Sequence, residues 1–98
     1  MEDVQDSQVD YRRRWVKITN QKGLHARAAS KFVKLASQFD AQVIVVKKDT
    51  EVPGSSIMGL LLLAASPGSE LEIRASGSEA SRAIEALAQL VADKFHEE

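Results

Sequence analysis

Strands are predicted where apolar residues alternate with polar ones or where β-branched residues follow one another. Alternation over residues 15–19 and 71–75 predicts two strands, each with one covered face and one solvated face. The β-branched run 43–46 predicts a third strand, and a short fourth strand is expected around residues 51–52. Pro53 has no N–H to donate to a ladder, so this fourth strand is expected at an edge of the sheet.

Helices are predicted where the apolar spacing lengthens to three and four residues. The first helix has an apolar stripe formed by Ala29, Phe32, Val33 and Ala36. A short second helix over 57–63 can be capped by Ser56 or by its neighbour Ser55. The third helix can be capped by Ser78 and buries the stripe Ala80, Ala83, Ile84, Leu87, Leu90 and Val91. The resulting order βαββαβα predicts a two-layer α+β domain with all helices on one face of the sheet.

A chain of 98 residues with 44% hydrophobic content fits one compact domain. Residues 1–12 are polar and without periodicity, so we expect a flexible N-terminal extension there and the folded domain over 13–98. The longest apolar run, 60–65, is far shorter than the roughly 20 residues that span a bilayer. No apolar signal region follows the arginines at 12–14, so we expect a cytoplasmic protein that does not bind membranes.

Net charge and amino-acid composition argue against several classes of function. The net charge of -1 gives no reason to expect a nucleic-acid partner, and 5% aromatic content offers no row of rings on which bases could stack. A nucleic-acid-binding domain that contacts phosphates through the arginine run 12–14 is an alternative interpretation. A solvated segment beside an acidic tail explains this run as well. Without cysteine, thiolate metal sites, metal-chaperone function and cysteine nucleophiles are excluded.

Two histidines remain as candidate reactive groups. His96 lies close to the carboxyl end and is interpreted as a tail residue, whereas His25 lies between Gly23 and the start of the first helix. A surface histidine at a helix cap is one reading of His25. The other reading is chemical: a helix N-terminus carries free N–H groups and partial positive charge, which disfavour the imidazolium and favour a bound anion. A neutral ring can attack phosphorus there, and Arg27 can hold the phosphoryl oxygens.

Three motifs resemble the HPr family, the histidine-containing phosphocarriers of the bacterial phosphoenolpyruvate phosphotransferase system. They are Gly23-Leu24-His25-Ala26-Arg27-Ala28-Ala29, Ser56-Ile57-Met58-Gly59 and Gly68-Ser69-Glu70-Leu71-Glu72-Ile73. The resemblance covers about residues 15–95. It implies an open-faced β-sandwich with a four-stranded antiparallel sheet and three helices on one face.

The same resemblance implies a function. His25 accepts a phosphoryl group on Nδ1 from phosphorylated enzyme I and donates it to an enzyme IIA domain, while Arg27 steadies the group. Ser56 matches the position that an HPr kinase/phosphorylase modifies in many members, although a serine that opens a helix is often only a cap. We expect a monomeric carrier protein rather than an enzyme, with no cofactor and no metal.

A docking surface for these partners is predicted next to the two helices. It would combine the basic residues Arg27, Lys31 and Lys34 with Ile57, Met58 and Leu61, provided that the two helix starts adjoin. Core packing is the alternative for the three apolar residues, and a solvated helix face is the alternative for the basic ones.

The sequence also departs from the family pattern. Ala28 stands where proline is usual, which allows a less rigid helix entry, and Ser55 stands where many members have lysine, which removes a charge beside Ser56. Segments 18–20 and 39–41 resemble the nitrogen-related branch, whose output is regulation, whereas 56–59 resembles the sugar-transport branch. A regulatory HPr-like module that acts mainly by binding proteins is therefore the alternative function. HPr-like relatives that act only by binding transcription factors or enzymes lack the active histidine, which this chain has.

Overall fold

The computed structural model describes residues 11–97. Its strands are β1 (Tyr11–Lys17), β2 (Gln42–Lys47), β3 (Thr50–Pro53) and β4 (Glu70–Ser76), and its helices are α1 (Ala26–Ala36), α2 (Ile57–Leu62) and α3 (Ala80–Ala92), followed by a 3-10 turn (Lys94–His96). The sheet order is β1-β4-β2-β3, and every neighbouring pair is antiparallel. The predicted element order and the open-faced two-layer architecture are confirmed.

The first strand starts earlier than the alternation of apolar residues indicates. β1 begins at Tyr11, and its arginines pair with β4 in the register Arg14↔Ile73 and Arg12↔Ala75. Tyr11 and Arg12 therefore belong to the sheet and not to a segment that precedes it. The arginine run carries no apolar alternation, so the pattern of apolar residues did not reveal where the strand begins. The backbone hydrogen bonds of a strand do not require such alternation. The remaining residues of the predicted extension, 1–10, lie outside the described part of the chain.

The core lies between the inner face of the sheet and the helices. Its largest fully buried apolar side chains are Phe95, Ile18, Leu60, Ile73, Leu87, Val45 and Val91. All predicted stripe positions of α3 are buried, as are three of the four predicted for α1, with Val33 packed against the core from its rim. Helix periodicity thus identified the buried faces correctly, because one stripe of each helix must cover the sheet.

The edge and cap predictions had different outcomes. β3 is an edge strand, as Pro53 indicated, and Ser56 caps α2 by accepting a hydrogen bond from the Gly59 N–H at 2.9 Å. The prediction that Ser78 caps α3 was wrong. The N-cap residue is Glu79, and the Ser78 hydroxyl instead donates to the Asp40 carboxylate in the turn before β2.

The sheet face that carries no helix is less hydrated than the alternation in β4 indicated. Glu72 was expected on a wet face but is only 5% exposed. Arg74 donates to its carboxylate at 2.9 Å, and Arg13 lies 3.6 Å from it. Because β4 is a central strand, neighbours on both sides cover Glu72 while its charge remains paired.

Helices α1 and α2 run in opposite directions. Ala36 and Ser37, at the end of α1, line the same cleft as Gly54 and Ser55, which precede α2. At the other end, the Leu24 N–H donates to the Ala65 carbonyl, beyond the end of α2, at 2.9 Å. The expectation that the two helix starts adjoin was therefore wrong, and the α1 start lies beside the residues that follow α2.

After α3 the chain turns back toward the α1 start. Lys94, Phe95 and His96 all have positive φ angles of 56–58°, which is unusual for residues with a side chain. Phe95 is nonetheless completely buried in the core. Burial of this aromatic ring compensates for the strain of the turn. It also fixes the direction of Glu97, the residue that follows the turn.

Candidate functional site

His25 is the N-cap residue of α1. Its backbone is extended, its N–H donates to the Gly23 carbonyl at 2.9 Å, and its carbonyl accepts the first helical bond from Ala29 at 2.8 Å. The imidazole makes no cap hydrogen bond, and 26% of the side chain is exposed. The ring therefore remains available beside the unsatisfied N–H groups of the first helical turn, rather than filling the cap position itself.

Gly23 gives the loop before His25 its shape. Its φ angle is +68°, and a Cβ atom at this position would lie 2.5 Å from the Ala65 carbonyl oxygen. Only glycine accepts both the left-handed backbone and this close approach without strain. The contact joins the His25 loop to the segment after α2, so the start of α1 is held from a second element.

Arg27 lies in the first turn of α1 and is exposed. It lines a cleft of about 420 Å³ whose wall is formed by Thr19, Asn20, Gln21, Lys22, His25, Arg27, Lys31, Lys94, His96 and Glu97. Four of these residues are lysine or arginine, while Glu97 is the acidic one. Together with the partial positive charge of the helix start, this composition suits an anionic group beside the His25 ring.

Glu97 is the direct partner of the His25 ring. One carboxylate oxygen lies within hydrogen-bond distance of Nε2, and the other accepts from Asn20 Nδ2 at 3.0 Å. Asn20 is buried and also donates to the Gly23 carbonyl at 2.8 Å, which ties the carboxylate to the His25 loop. The hydrogen bond with His25 lowers the pKa of the Glu97 carboxyl below its usual value; burial opposes this, whereas Asn20 lowers it further.

Lys31 is bound within the protein. Its ammonium donates to the Phe95 carbonyl at 2.6 Å, so one residue of the predicted docking surface also fastens the segment that carries Glu97. Lys34, one turn farther along the same basic face, is exposed. Arg27 and Lys34 are thus the more accessible of the three predicted basic residues.

Leu60 of α2 is buried in the core, but the three apolar residues of α2 predicted for docking face solvent. Ile57, Met58 and Leu61 are exposed, Met58 to 71%. Leu62, which the sequence analysis did not single out, is exposed to 74%. Four large apolar side chains on one short helix form a patch of the kind that marks interaction surfaces. Because the end of α2 leads to Ala65 beside the His25 loop, this patch extends from Ser56 toward the site.

Ser56 lies at the far end of α1 from His25. Residues before α2 border the end of α1, and the eleven residues of α1 span about 16 Å. The Ser56 hydroxyl accepts from Gly59, so the cap interpretation of this serine is confirmed. Its side chain is only partly buried, and the residue stands at the edge of the apolar patch rather than in the His25 cleft.

Sequence comparisons identify the family. The family model described as "PTS HPr component phosphorylation site" matches residues 12–93. The chain is therefore a member of the HPr family, the phosphocarrier proteins of the phosphotransferase system, which are carriers rather than catalysts. Membership implies interaction with other proteins of that system.

Individual relatives agree with this assignment. The chain is similar to phosphocarrier protein HPr of Neisseria meningitidis serogroup B, with 45% identity over 82 residues that cover 84% of this chain and 92% of the relative. It is 40% identical over 84 residues to phosphocarrier protein NPr of Shewanella violacea, covering 86% and 92% of the two chains. The crystal structure of HPr-C-His from Thermoanaerobacter tengcongensis superposes with a TM-score of 0.85 at 40% identity, covering 89% of this chain and 98% of that one.

Sequence reasoning missed Asn20 and Glu97. Neither residue was given a role in the site from the sequence. Phe95 was the available signal, because a large aromatic residue just after an amphipathic helix indicates that the chain still packs on the core.

Neither a metal-binding cluster nor a membrane-spanning helix is found within residues 11–97. Within residues 11–97 no group of three or more side chains of the metal-ligating kinds is placed to hold an ion. No helix in this range has the length and apolar character needed to cross a membrane.

Proposed function

We propose that His25 is the phosphorylation site of this carrier, and that it receives the phosphoryl group from phosphorylated enzyme I and donates it to an enzyme IIA domain. The observation that supports this most is the partly exposed His25 ring at the start of α1, in a cleft with an excess of positive charge. A neutral imidazole is a nucleophile, and the helix start offers donors to the oxygens that it acquires.

The transfer is a displacement at phosphorus. The Nδ1 lone pair of His25 forms a bond to phosphorus while the bond between phosphorus and the donor atom of enzyme I breaks, and the reverse occurs on the acceptor. Such reactions depend mainly on in-line positioning and on stabilising charge spread over the phosphoryl oxygens. Arg27, exposed beside the ring, is suited to hold those oxygens.

We assign docking of both partners to a surface that runs from this cleft along the antiparallel helices α1 and α2, so that the start of α2 lies at its end far from His25. Arg27 and Lys34 supply exposed positive charge, Lys31 contributes from the rim, and Ile57, Met58 and Leu61 supply apolar contact. Leu62 belongs to the same patch. An apolar centre with a charged rim is the usual composition of a protein interface, and the basic rim favours an acidic partner surface.

Ser56 is proposed as a regulatory site for an HPr kinase/phosphorylase. A phosphate on its hydroxyl would carry about two negative charges at the start of α2, next to the docking patch. Since Ser56 lies at the opposite end of α1 from His25, we expect the effect on partner affinity rather than on the imidazole. Phosphorylation at this serine is therefore expected to weaken docking while the domain stays folded.

Labelling with enzyme I and phosphoenolpyruvate tests the proposal about His25. We expect one acid-labile, base-stable phosphate on the wild-type protein and none on His25→Ala. His96→Ala removes the other histidine of the cleft and should still carry one phosphate. Arg27→Ala should fold normally and label about 100–1,000-fold more slowly, a loss typical of a removed charge-stabilising donor. Persistent labelling of His25→Ala would place the site elsewhere.

Partner affinity tests the proposal about Ser56. Ser56→Asp should bind enzyme I more weakly than the wild-type protein at low salt, because the added charge faces the acidic partner. Ser55→Asp adds the same charge one residue away from the cap and serves as the control. Equal affinities for wild type and Ser56→Asp would remove the regulatory role.

A further inference from the structure

We propose that Glu97 is a positioning residue for phosphoryl transfer: its carboxylate holds the proton of His25 on Nε2 and thereby leaves the Nδ1 lone pair free to attack. This inference rests on the proposed function of His25. It concerns a residue beyond the segment 12–93 that the family model matches.

The contact itself defines the tautomer. An ionised carboxylate accepts hydrogen bonds and cannot donate them, so the Nε2 atom that it contacts must carry the proton. In a neutral imidazole only one nitrogen is protonated, which leaves Nδ1 as the basic atom. The pKa of Glu97 is lowered by this same hydrogen bond, so the carboxylate is ionised at neutral pH.

Several interactions place the carboxylate at this point. Its second oxygen accepts from Asn20 at 3.0 Å, and only 16% of the Glu97 side chain is exposed. The preceding residues are anchored by the buried Phe95 ring and by Lys31, which donates to the Phe95 carbonyl at 2.6 Å. A residue held by two elements and a core side chain is ordered before a partner arrives, which is what positioning of a reactive group requires.

The charge balance of the step supports the same role. When Nδ1 takes the phosphoryl group, no proton leaves the ring, and an imidazole substituted on both nitrogens becomes positively charged. A carboxylate at Nε2 stabilises that charge, as the aspartate of a Ser-His-Asp triad stabilises its imidazolium. The Glu97 carboxylate also repels the incoming phosphoryl group. This repulsion is offset by four basic residues that line the same cleft, Lys22, Arg27, Lys31 and Lys94.

A spectroscopic measurement tests the inference without any phosphorylation. In the ¹⁵N-labelled full-length protein at neutral pH, the neutral His25 ring should be almost entirely protonated on Nε2. Exposed His96 provides an internal reference in the same spectrum. In Glu97→Ala, the tautomer ratio of His25 should move to that of His96. An unchanged ratio would overturn the inference while leaving His25 as the phosphorylation site.

Labelling kinetics provide the second measurement. Glu97→Ala should be phosphorylated by enzyme I about tenfold more slowly, equivalent to ~1.4 kcal/mol of transition-state stabilisation. The control Asp49→Ala removes a carboxylate in the turn between β2 and β3, outside the cleft, and should label at the wild-type rate. Faster labelling of Glu97→Ala would instead identify Glu97 as an inhibitory group. Absence of label on wild-type His25 would overturn the proposed function itself, whatever the tautomer.

Discussion

Replacement of Ser56 by alanine isolates the energy of one helix cap. The Ser56 hydroxyl accepts from the Gly59 N–H at 2.9 Å, and Gly59 is buried. Alanine leaves this donor without a protein partner. Loss of an N-cap serine costs about 0.5–2 kcal/mol, and we expect the upper half of this range because water reaches a buried N–H poorly.

The expected loss is measurable in a domain of this size. One kcal/mol corresponds to roughly 4–8 °C in Tm for 60–100 residues, so Ser56→Ala should lower Tm by about 5–15 °C. Urea unfolding should show a lower midpoint with an unchanged m-value, because the surface exposed on unfolding is nearly the same.

Ser55→Ala is the matched control for this prediction. Ser55 is the exposed neighbour, and in residues 11–97 no hydrogen bond of its side chain is recorded. Its replacement should change the unfolding free energy by less than about 0.5 kcal/mol. If Ser56→Ala is no less stable than Ser55→Ala, the Ser56 hydroxyl contributes nothing to the stability of the domain.

Three further predictions concern the C-terminal turn, the loop before His25 and acid stability. Phe95→Ala should cost about 3–5 kcal/mol in urea unfolding, whereas Tyr11→Ala, at an exposed aromatic residue, should cost far less; similar losses would contradict the anchoring role of Phe95. Gly23→Ala should be less stable than Gly68→Ala, since both have positive φ but only Gly23 would place a Cβ 2.5 Å from a carbonyl oxygen; equal stabilities would exclude that clash. Because the pKa of Glu97 is lowered in the folded protein, its contribution is present at neutral pH and is lost as pH falls below about 4, so the stability difference between wild type and Glu97→Ala should shrink on acidification; a constant difference from pH 7 to pH 3 would contradict this.

Periodicity predicted much of the fold because it reports burial directly. The α3 stripe was found from its spacing and strand β2 from its run of β-branched residues, since each element must cover one side of the same core. Glu72 and Ser78 were misjudged because their environments depend on partners far away in sequence. Arg13 and Asp40 are brought to them only by strand pairing and loop packing.

The residues of the functional site were likewise predictable only where they lie close together in sequence. His25 could be predicted because its chemistry is local: a loop, a helix start and a nearby arginine lie within a few residues. The carboxylate that contacts its ring lies at the other end of the chain, at a sequence separation of 72 residues. No local spacing rule connects them, and the turn that joins them uses positive φ angles at residues that ordinarily avoid them.

The course of the chain after α3 has a practical consequence for anyone who prepares this protein. Residues fused directly after Glu98 would begin two positions beyond Glu97, the partner of the His25 ring. An affinity tag placed there would add its own charges and bulk at the entrance to the reactive imidazole, and a polyhistidine tag would also add competing rings. Purification handles therefore belong at the amino end, and rates measured with carboxyl-terminal fusions should be compared with those of the cleaved protein.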